Sequence, residues 1–392
     1  MNTQNTEVHI KLWHRDFWLM SIANLLLTMS VYCLIPVLPS WLRVTQPGLA
    51  TLYLGAMMGI FAIGMFAFGP LCSYLVQRYR RNHVCTNALL CVAICSAVLC
   101  YTEHEGIRLS LGQLLALRFI QGALFGLAKM VLTSTLIIDT CESFKRTEAN
   151  YSSAWFGRFA VSLGPMSGLL AYRLSAATEV FALSTVLAVV AVALVAVVRF
   201  PFRSPSEDVK VFSLDRFFLP RGWVLFVNLV LITAVAGLVF SLNLTFQFYG
   251  LLMSGFMLAL LAQRFAFRNA ELKSEAVSGL LLMLAGLLVL LLHVRATDFY
   301  LVPVLFGMGL GIATSRFLLF FIKLSRHCQR GTSQSTNLLG WETGIGLGMF
   351  VGLSFLASAP HLLLMVAAGV DIVALVLYVA FTHTWFINNK NR

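Results

Sequence analysis

Residues 180–198 read VFALSTVLAVVAVALVAVV, a stretch of nineteen residues without a charged side chain. About 20 apolar residues in a helix cross a hydrocarbon layer of roughly 30 Å. Comparable uncharged runs lie at 17–42, 84–101 and 277–292. Because lipid offers no hydrogen-bond partners to backbone amides, runs of this length must be helices. The stretch therefore predicts a membrane-spanning helix, and its repetition predicts a polytopic membrane protein.

The composition of the whole chain supports the same fold class. Hydrophobic residues make up 59% of it and charged residues 11%, whereas soluble domains contain about 25% charged residues. A soluble globule of 392 residues would need a more polar surface. We therefore expect an all-α membrane protein of about twelve transmembrane helices, at 17–42, 51–76, 84–101, 110–138, 150–172, 179–198, 222–243, 246–263, 275–293, 299–322, 333–357 and 361–383.

The net charge of +12 is distributed unevenly between the predicted loops. Twenty lysines and arginines fall in the termini and the loops on their side, and four in the opposite loops. The positive-inside rule then places both termini in the cytoplasm. Because the basic charge is explained by topology, we do not expect a nucleic-acid partner. The first apolar run is too long for a cleaved signal peptide. We expect a multi-pass protein of a bacterial inner membrane.

Internal repetition indicates two similar halves. Residues 75–82 read LVQRYRRN and residues 261–269 read LAQRFAFRN, at an offset of 186. The sequence LGPMSGL at 163–169 is matched by LGMFVGL at 347–353, at an offset of 184. The polar, proline-containing segment between these halves predicts a linker. We expect a six-helix bundle in residues 1–198, a cytoplasmic central loop in 199–222 and a second six-helix bundle in 223–392, with a cavity between the bundles.

These features resemble the major facilitator superfamily. The most specific match is LRFIQGA at residues 117–123, followed by Gly126, which fits the arginine–glutamine–glycine pattern of the fourth helix. Residues 73–82, SYLVQRYRRN, correspond to the family loop Gly-x-x-x-Asp-Arg-x-Gly-Arg-Arg but lack its glycines and its acid. The resemblance implies alternating access between two halves, and helices 1, 4, 7 and 10 that line a central cavity.

The same resemblance assigns two further motifs. Arg78 and Arg81 would belong to a cytoplasmic gate, in which Asp139 pairs with one of them. Gly164, Pro165 and Gly168 match part of the helix 5 motif that is associated with antiporters.

Two of the charges expected at bilayer depth lie on the fourth predicted helix. Arg118 and Lys129 are 11 residues apart, which is about three turns, so both point the same way. Buried membrane charges usually face a cavity or a bundle interior. We predict that Arg118, Lys129 and the nearby Gln121 bind substrate. The alternative for Arg118 is a structural role in which Gln121 and backbone carbonyls satisfy it.

Four more charges are expected inside the membrane. Arg158 is a substrate-binding candidate, with pairing to Asp139 or Glu142 as the structural alternative. Arg316 is another, and its depth makes a pair with Glu342 plausible. Glu342 is the first candidate for proton coupling, because burial and neighbouring cations change a carboxyl group's affinity for protons. Asp371 is the second, with an interhelical polar contact as its alternative.

Four interior cations against two acids favour an anionic or zwitterionic solute. The chain lacks a phosphate-binding loop and the common hydrolase motifs, so we expect neither an ATPase nor any other enzyme. No cofactor is expected, and no metal site, since no histidine or carboxylate joins Cys91 and Cys95. The predicted function is secondary transport of a small solute, as proton-coupled efflux by a monomer in the lipid bilayer. The alternatives are an uptake permease, a cationic multidrug exporter, a membrane-embedded enzyme or a non-transporting receptor.

Overall fold

The computed structural model describes residues 11–200, 209–292 and 298–391. In these residues the chain forms sixteen α-helices and no β-strand. The helices are α1 (Arg15–Tyr32), α2 (Leu38–Thr45), α3 (Thr51–Gly64), α4 (Cys72–Arg78), α5 (Arg81–His104), α6 (Leu111–Val131), α7 (Ile137–Asp139), α8 (Arg146–Ser175), α9 (Ala177–Val197), α10 (Trp223–Phe240), α11 (Phe246–Phe265), α12 (Leu272–Leu292), α13 (Asp298–Leu324), α14 (Arg330–Val351), α15 (Pro360–Leu377) and α16 (His383–Asn389).

Several of these helices join end to end into longer segments. A π-helical turn, Leu132–Leu136, connects α6 to α7, and another, Tyr378–Thr382, connects α15 to α16. A third, Gly352–Leu356, extends α14. With α1–α2 and α3–α4 each counted as one segment, the described residues form twelve segments. Nine helices in this part of the chain are long and apolar enough to cross a membrane. The predicted all-α membrane fold is confirmed.

Two predicted helices are not continuous. The expected helix at 17–42 is interrupted at residues 33–37, where Val37 N–H bonds to Leu34 O at 3.2 Å, a tighter i→i−3 pattern. Pro36 lies in this break, and its ring removes an amide donor and hinders the α-helical ladder. The expected helix at 51–76 is similarly interrupted at residues 65–71, which include Pro70. The prolines explain these breaks, which a prediction from apolar length alone does not include.

The helices pack in two groups that follow chain order. In the first group α1 packs on α8 and α9, α5 packs on α6 and α9, and α3 packs on α6. In the second, α10 packs on α14 and α15, and α13 packs on α11 and α12. The main helix contacts between the groups are α3 with α14 and α8 with α11. This arrangement agrees with two six-helix bundles, while the domain boundaries stay a prediction.

The two groups contact each other at the end of the helix bundle opposite the described termini, which we call the distal side. There Thr51 Oγ1 donates a hydrogen bond to Ser354 O at 2.8 Å, and Ser162 Oγ donates to Tyr249 O. A methyl group on Gly55 would lie 2.5 Å from Phe350 O. These contacts seal the distal end of the interface. The side that bears the termini is called the terminal side below.

The helix 5 motif lies at a close contact between α8 and α1. A Cβ atom on Gly164 would lie 2.8 Å from Tyr32 Cβ, and one on Gly168 would overlap the carbonyl of Cys33. Pro165 sits between them inside α8. Because glycine allows the two helix backbones to approach, this motif sets their spacing next to the break in α1–α2.

We expect Gly168→Ala to lower the stability of the folded protein by about 1–3 kcal/mol, because the added methyl group overpacks this contact. Thermal unfolding in detergent would measure the change as a lower midpoint. The matched control is Gly369→Ala in α15, where a Cβ would meet nothing within 4 Å. Alanine is the better helix former, so the control should keep or raise the midpoint. Equal midpoints for the two variants would contradict the assigned role of Gly168.

Candidate functional site

A small cavity of about 50 Å³ lies between the two helix groups, and we call it the central cavity. A cavity of this volume has room for a few water molecules. Its walls come from α1, α6 with the following π-helical turn, α8 and α14. The lining residues are Asn24, Thr28, Lys129, Thr133, Ala154, Gly157, Arg158, Gln334, Asn337, Leu338, Trp341 and Glu342.

Lys129 reaches this cavity from α6. The residue is buried, and Nζ donates a hydrogen bond to the hydroxyl of Thr28 on α1. Nζ also lies 5.9 Å from the ring centroid of Phe125, near the outer limit of a cation–π contact. An ammonium group has three donors and no acceptor. Since the hydroxyl of Thr28 accepts one hydrogen bond and carries no charge, the charge and the other donors of Lys129 are available to a solute.

Arg158 lines the same cavity from α8. Its Nε donates to Thr314 Oγ1 at 3.2 Å, and its guanidinium lies 5.1 Å from the Trp155 ring and 5.8 Å from the Trp341 ring. Nη1 is buried and has no hydrogen-bond partner among the described residues. The structural alternative of a carboxylate pair with Asp139 or Glu142 is not what the structure shows.

Among the described residues that line the central cavity, Glu342 is the one carboxylate. Its Oε2 accepts a hydrogen bond from Tyr32 O–H at 3.0 Å, and the indole N–H of Trp341 donates to the same tyrosine oxygen at 3.1 Å. These two bonds orient Glu342 from α14 against α1. Since α1 and α14 belong to different helix groups, the pair also spans the interface that alternating access would move. Two cations and one acid leave the cavity positively charged.

Three amide oxygens complete the polar lining. Asn24 Oδ1, Gln334 Oε1 and Asn337 Oδ1 are buried without hydrogen-bond partners among the described residues. A bound solute that carries hydroxyl or amino groups would satisfy them. Gln334 and Asn337 are not among the predicted site residues, although residues 333–337, SQSTN, form a polar run within a predicted membrane helix.

Arg118 and Gln121 do not line the central cavity. Arg118 Nη1 donates to Gln121 Oε1 at 2.5 Å, and its guanidinium lies 4.7 Å from the ring of Phe61 on α3. Gln121 Nε2 donates to Ser96 Oγ on α5 at 3.1 Å. These contacts match the structural alternative, in which Gln121 and a backbone carbonyl satisfy Arg118. The guanidinium therefore links helices within the first group, and its predicted substrate contact is untested.

Arg316 does not pair with Glu342, so that prediction is wrong. Arg316 instead forms an ion pair with Glu275, and the two side chains are 11% and 2% exposed. Glu275 lies in the first turn of α12, which packs along α13. Similar depth in the membrane made the other pair plausible, but the helix rotations bring Glu275 to Arg316. The pair holds the second helix group together and lies away from the central cavity.

Removing one partner of this ion pair should lower the stability of the folded protein. We expect Arg316→Met to destabilise the protein by about 3–5 kcal/mol, because it leaves the carboxylate of Glu275 buried without its cation. The double variant Arg316→Met/Glu275→Gln should recover part of the loss, as seen in thermal unfolding in detergent. Lys145→Met, which removes the exposed pair with Glu148, is the control and should change stability by less than about 1 kcal/mol. A single variant as stable as this control would contradict the prediction.

The remaining predicted residues lie outside the central cavity. Asp371 is buried in α15, and both of its carboxyl oxygens lack hydrogen-bond partners among the described residues. The predicted pairing of Asp139 is confirmed with Arg81, at the terminal end of α7. Arg78 is exposed at the end of α4. The gating and coupling roles themselves stay predictions.

Comparisons with known proteins agree with this architecture. The sequence model of the Major Facilitator Superfamily matches residues 20–313. The comparison with curated proteins gives no significant match.

Solved structures share the fold at low sequence identity. The human organic anion transporter MFSD10 (TETRAN) is similar with a TM-score of 0.69 at 16% identity, covering 92% of this chain and 98% of that one. A mutant of the nucleoside transporter NupG has a TM-score of 0.66 at 12% identity, covering 93% and 99%. The POT family transporter PepTSo has a TM-score of 0.68 at 12% identity, covering 96% and 99%. At these identities the likeness shows the fold alone.

Proposed function

Because the chain belongs to the Major Facilitator Superfamily and is therefore a membrane transporter, we propose that it moves a small anionic or zwitterionic solute by alternating access. The solute binds in the central cavity between the two helix groups. Opening and closing of the groups around it would expose the cavity to each side in turn.

The observation that carries the proposal is the pair of cations in the central cavity. Arg158 and Lys129 face it together, and Nη1 of Arg158 is buried without a partner among the described residues. A buried guanidinium donor that lacks an acceptor is costly, and a carboxylate or phosphate would supply one. The amide oxygens of Asn24, Gln334 and Asn337 suit the hydroxyl or amino groups of the same solute.

We propose further that protons drive export. Glu342 supports proton coupling because this buried carboxyl shares a small cavity with Lys129 and contacts Tyr32 across the moving interface. The helix 5 residues Gly164, Pro165 and Gly168 support antiport. The excess of basic residues on the terminal side supports cytoplasmic termini in a bacterial inner membrane. A monomer suffices for this mechanism, since both cavity walls come from one chain.

The first test is a thermal-shift screen of the purified protein against anionic, zwitterionic and cationic small molecules at two pH values. A ligand that binds only the folded state raises the unfolding midpoint by mass action. We expect anions or zwitterions to raise it and Lys129→Ala to remove the effect. Lys323→Ala, at an exposed position near the end of α13, is the control.

A ligand found in this way then enters a liposome flux assay with an imposed proton gradient. Saturable flux that Lys129→Ala abolishes and Lys323→Ala preserves would support the proposal. Stabilisation by lipophilic cations alone, with no anion effect, would overturn it and favour a cationic multidrug exporter. Inward accumulation driven by the gradient would favour the uptake permease instead.

A further inference from the structure

A second and larger cavity opens on the terminal side, and we call it the vestibule. Its volume is about 550 Å³, within the range of small-molecule sites. Among the described residues, it shares no lining residue with the central cavity. In its wall α14 packs closely against the π-helical turn, since a Cβ on Gly331 would lie 2.8 Å from Ser134 O. The lining residues are Ser134, Thr135, Ile138, Asp139, Arg146, Asp215, Arg216, Arg326, Cys328, Arg330, Gly331 and Thr332.

The charges of the vestibule are unbalanced. Four of its lining residues are arginines and two are aspartates. Both carboxylates are already engaged, because Asp139 pairs with Arg81, and Asp215 accepts hydrogen bonds from Thr332 Oγ1 at 3.0 Å and Ser73 Oγ at 3.2 Å. Arg81 neutralises Asp139 from outside the lining. Within the lining, Nε of Arg216 lies 3.8 Å from Oδ2 of Asp215, so one of the four arginines is paired. The other three leave the wall with an excess of positive charge.

Hydrogen bonds fix the position of Arg216 in the wall of the vestibule. It belongs to the described part of the central loop, and its backbone φ of 58° is in the left-handed region. Its N–H donates to Thr332 Oγ1 and its Nη1 donates to Thr135 Oγ1, each at 2.8 Å. Burial, and then the positive charge of Arg81, lower the pKa of this guanidinium. These contacts hold the cation at the junction of both helix groups.

Two more arginines stand at helix N-termini. Arg146 begins α8 and Arg330 begins α14, and neither helix has a side-chain hydrogen bond at its N-cap. The positive ends of the two helix dipoles therefore add to the arginine charges. Nε of Arg146 is a buried atom without a hydrogen-bond partner among the described residues. A donor in this state lacks an acceptor that an anion would provide.

We propose that the vestibule binds a phosphate-bearing anion, at a site separate from the central cavity. Guanidinium groups match phosphate oxygens with paired donors, and several of them around one cavity suit a multiply charged oxyanion. The same chemistry occurs in a free phosphoester and in an anionic phospholipid headgroup. The site goes beyond solute transport, because its residues are distinct from Lys129, Arg158 and Glu342.

Cys328 provides a local readout of occupancy, because it is an exposed free cysteine in the vestibule wall. The test follows labelling of purified full-length protein by the neutral reagent N-ethylmaleimide, with and without pyrophosphate at constant ionic strength. We expect pyrophosphate to slow labelling of Cys328. The variant Cys328→Ser measures the background from the partly buried Cys91 and Cys100.

Arg146→Gln/Arg330→Gln should weaken the protection by pyrophosphate roughly tenfold or more, because it removes two charge-assisted contacts. Arg264→Gln, outside the vestibule, is the matched control and should keep the protection. If the double variant fails to fold, as judged by size-exclusion chromatography, Arg326→Gln replaces it, since Arg326 is exposed. Protection should survive Arg158→Gln, which separates this site from the proposed transport function.

A second arm identifies the source of the phosphate. The protein is placed in nanodiscs of phosphatidylglycerol or of phosphatidylcholine, and Cys328 labelling is compared. Slower labelling in phosphatidylglycerol alone assigns the site to a lipid headgroup, and protection by pyrophosphate in detergent assigns it to a free phosphoester. Protection in neither arm, or protection that the arginine variants leave unchanged, would overturn the proposal.

Discussion

Arg158→Gln is expected to abolish high-affinity binding and transport of an anionic solute. Truncating one partner of a buried, hydrogen-bonded charge pair costs about 2–5 kcal/mol, which corresponds to a loss of affinity of about 30-fold to several-thousand-fold. The side chain is buried, and Nη1 has no acceptor among the described residues, so glutamine removes the charge that we assign to the solute. Equilibrium binding and counterflow in liposomes would measure the loss.

The control for Arg158 is Arg173→Gln, at the distal end of the same helix. Arg173 packs over the ring of Phe246 at 4.3 Å and does not line the central cavity. It should keep affinity within a few-fold, while Arg158→Lys should retain part of the function because the charge remains. Anion transport that is unaffected by Arg158→Gln would remove this residue from the site.

Glu342→Gln is expected to abolish solute movement driven by a proton gradient while leaving solute exchange at equal pH. The amide keeps a hydrogen-bond acceptor for Tyr32 but cannot take up or release a proton. Exchange without net flux would identify Glu342 as the coupling carboxyl. Measurements of pH-driven flux and of isotopic exchange in the same liposomes separate the two activities.

Asp371→Asn is the matched comparison for Glu342→Gln. Asp371 is also buried, but it lies outside the central cavity and has no hydrogen-bond partner for its carboxyl oxygens among the described residues. We expect this variant to keep proton-driven flux. Loss of driven flux in Asp371→Asn, with normal coupling in Glu342→Gln, would move the coupling role to α15.

Properties that belong to a single helix were predicted best. The number of spanning segments, their apolar length and the repeat between halves could be read because the membrane requires about 20 apolar residues per crossing. The polar contacts of Arg118 with Gln121 also follow from their spacing on one helix. The breaks at Pro36 and Pro70 were missed because the predicted helices were bounded by apolar length.

Contacts between helices were predicted less well. Arg118 and Lys129 lie on one stripe of α6, yet Arg118 meets α3 and Lys129 meets α1. Depth alone suggested a pair of Arg316 with Glu342, but the structure pairs Arg316 with Glu275. Gln334, Asn337 and Trp341 were not predicted as cavity residues, although they carry much of its polar wall.

The sequence by itself determined that this chain is a membrane protein of about twelve helical segments, and it predicts two related halves and a set of charges at bilayer depth. Those properties follow from hydropathy and from positions along single helices. Only the tertiary structure decided which charges meet, which face the central cavity and which close the interface. The physical reason is that helical periodicity fixes directions relative to one axis, whereas partners across helices depend on the rotation, tilt and breaks of each helix, which packing selects.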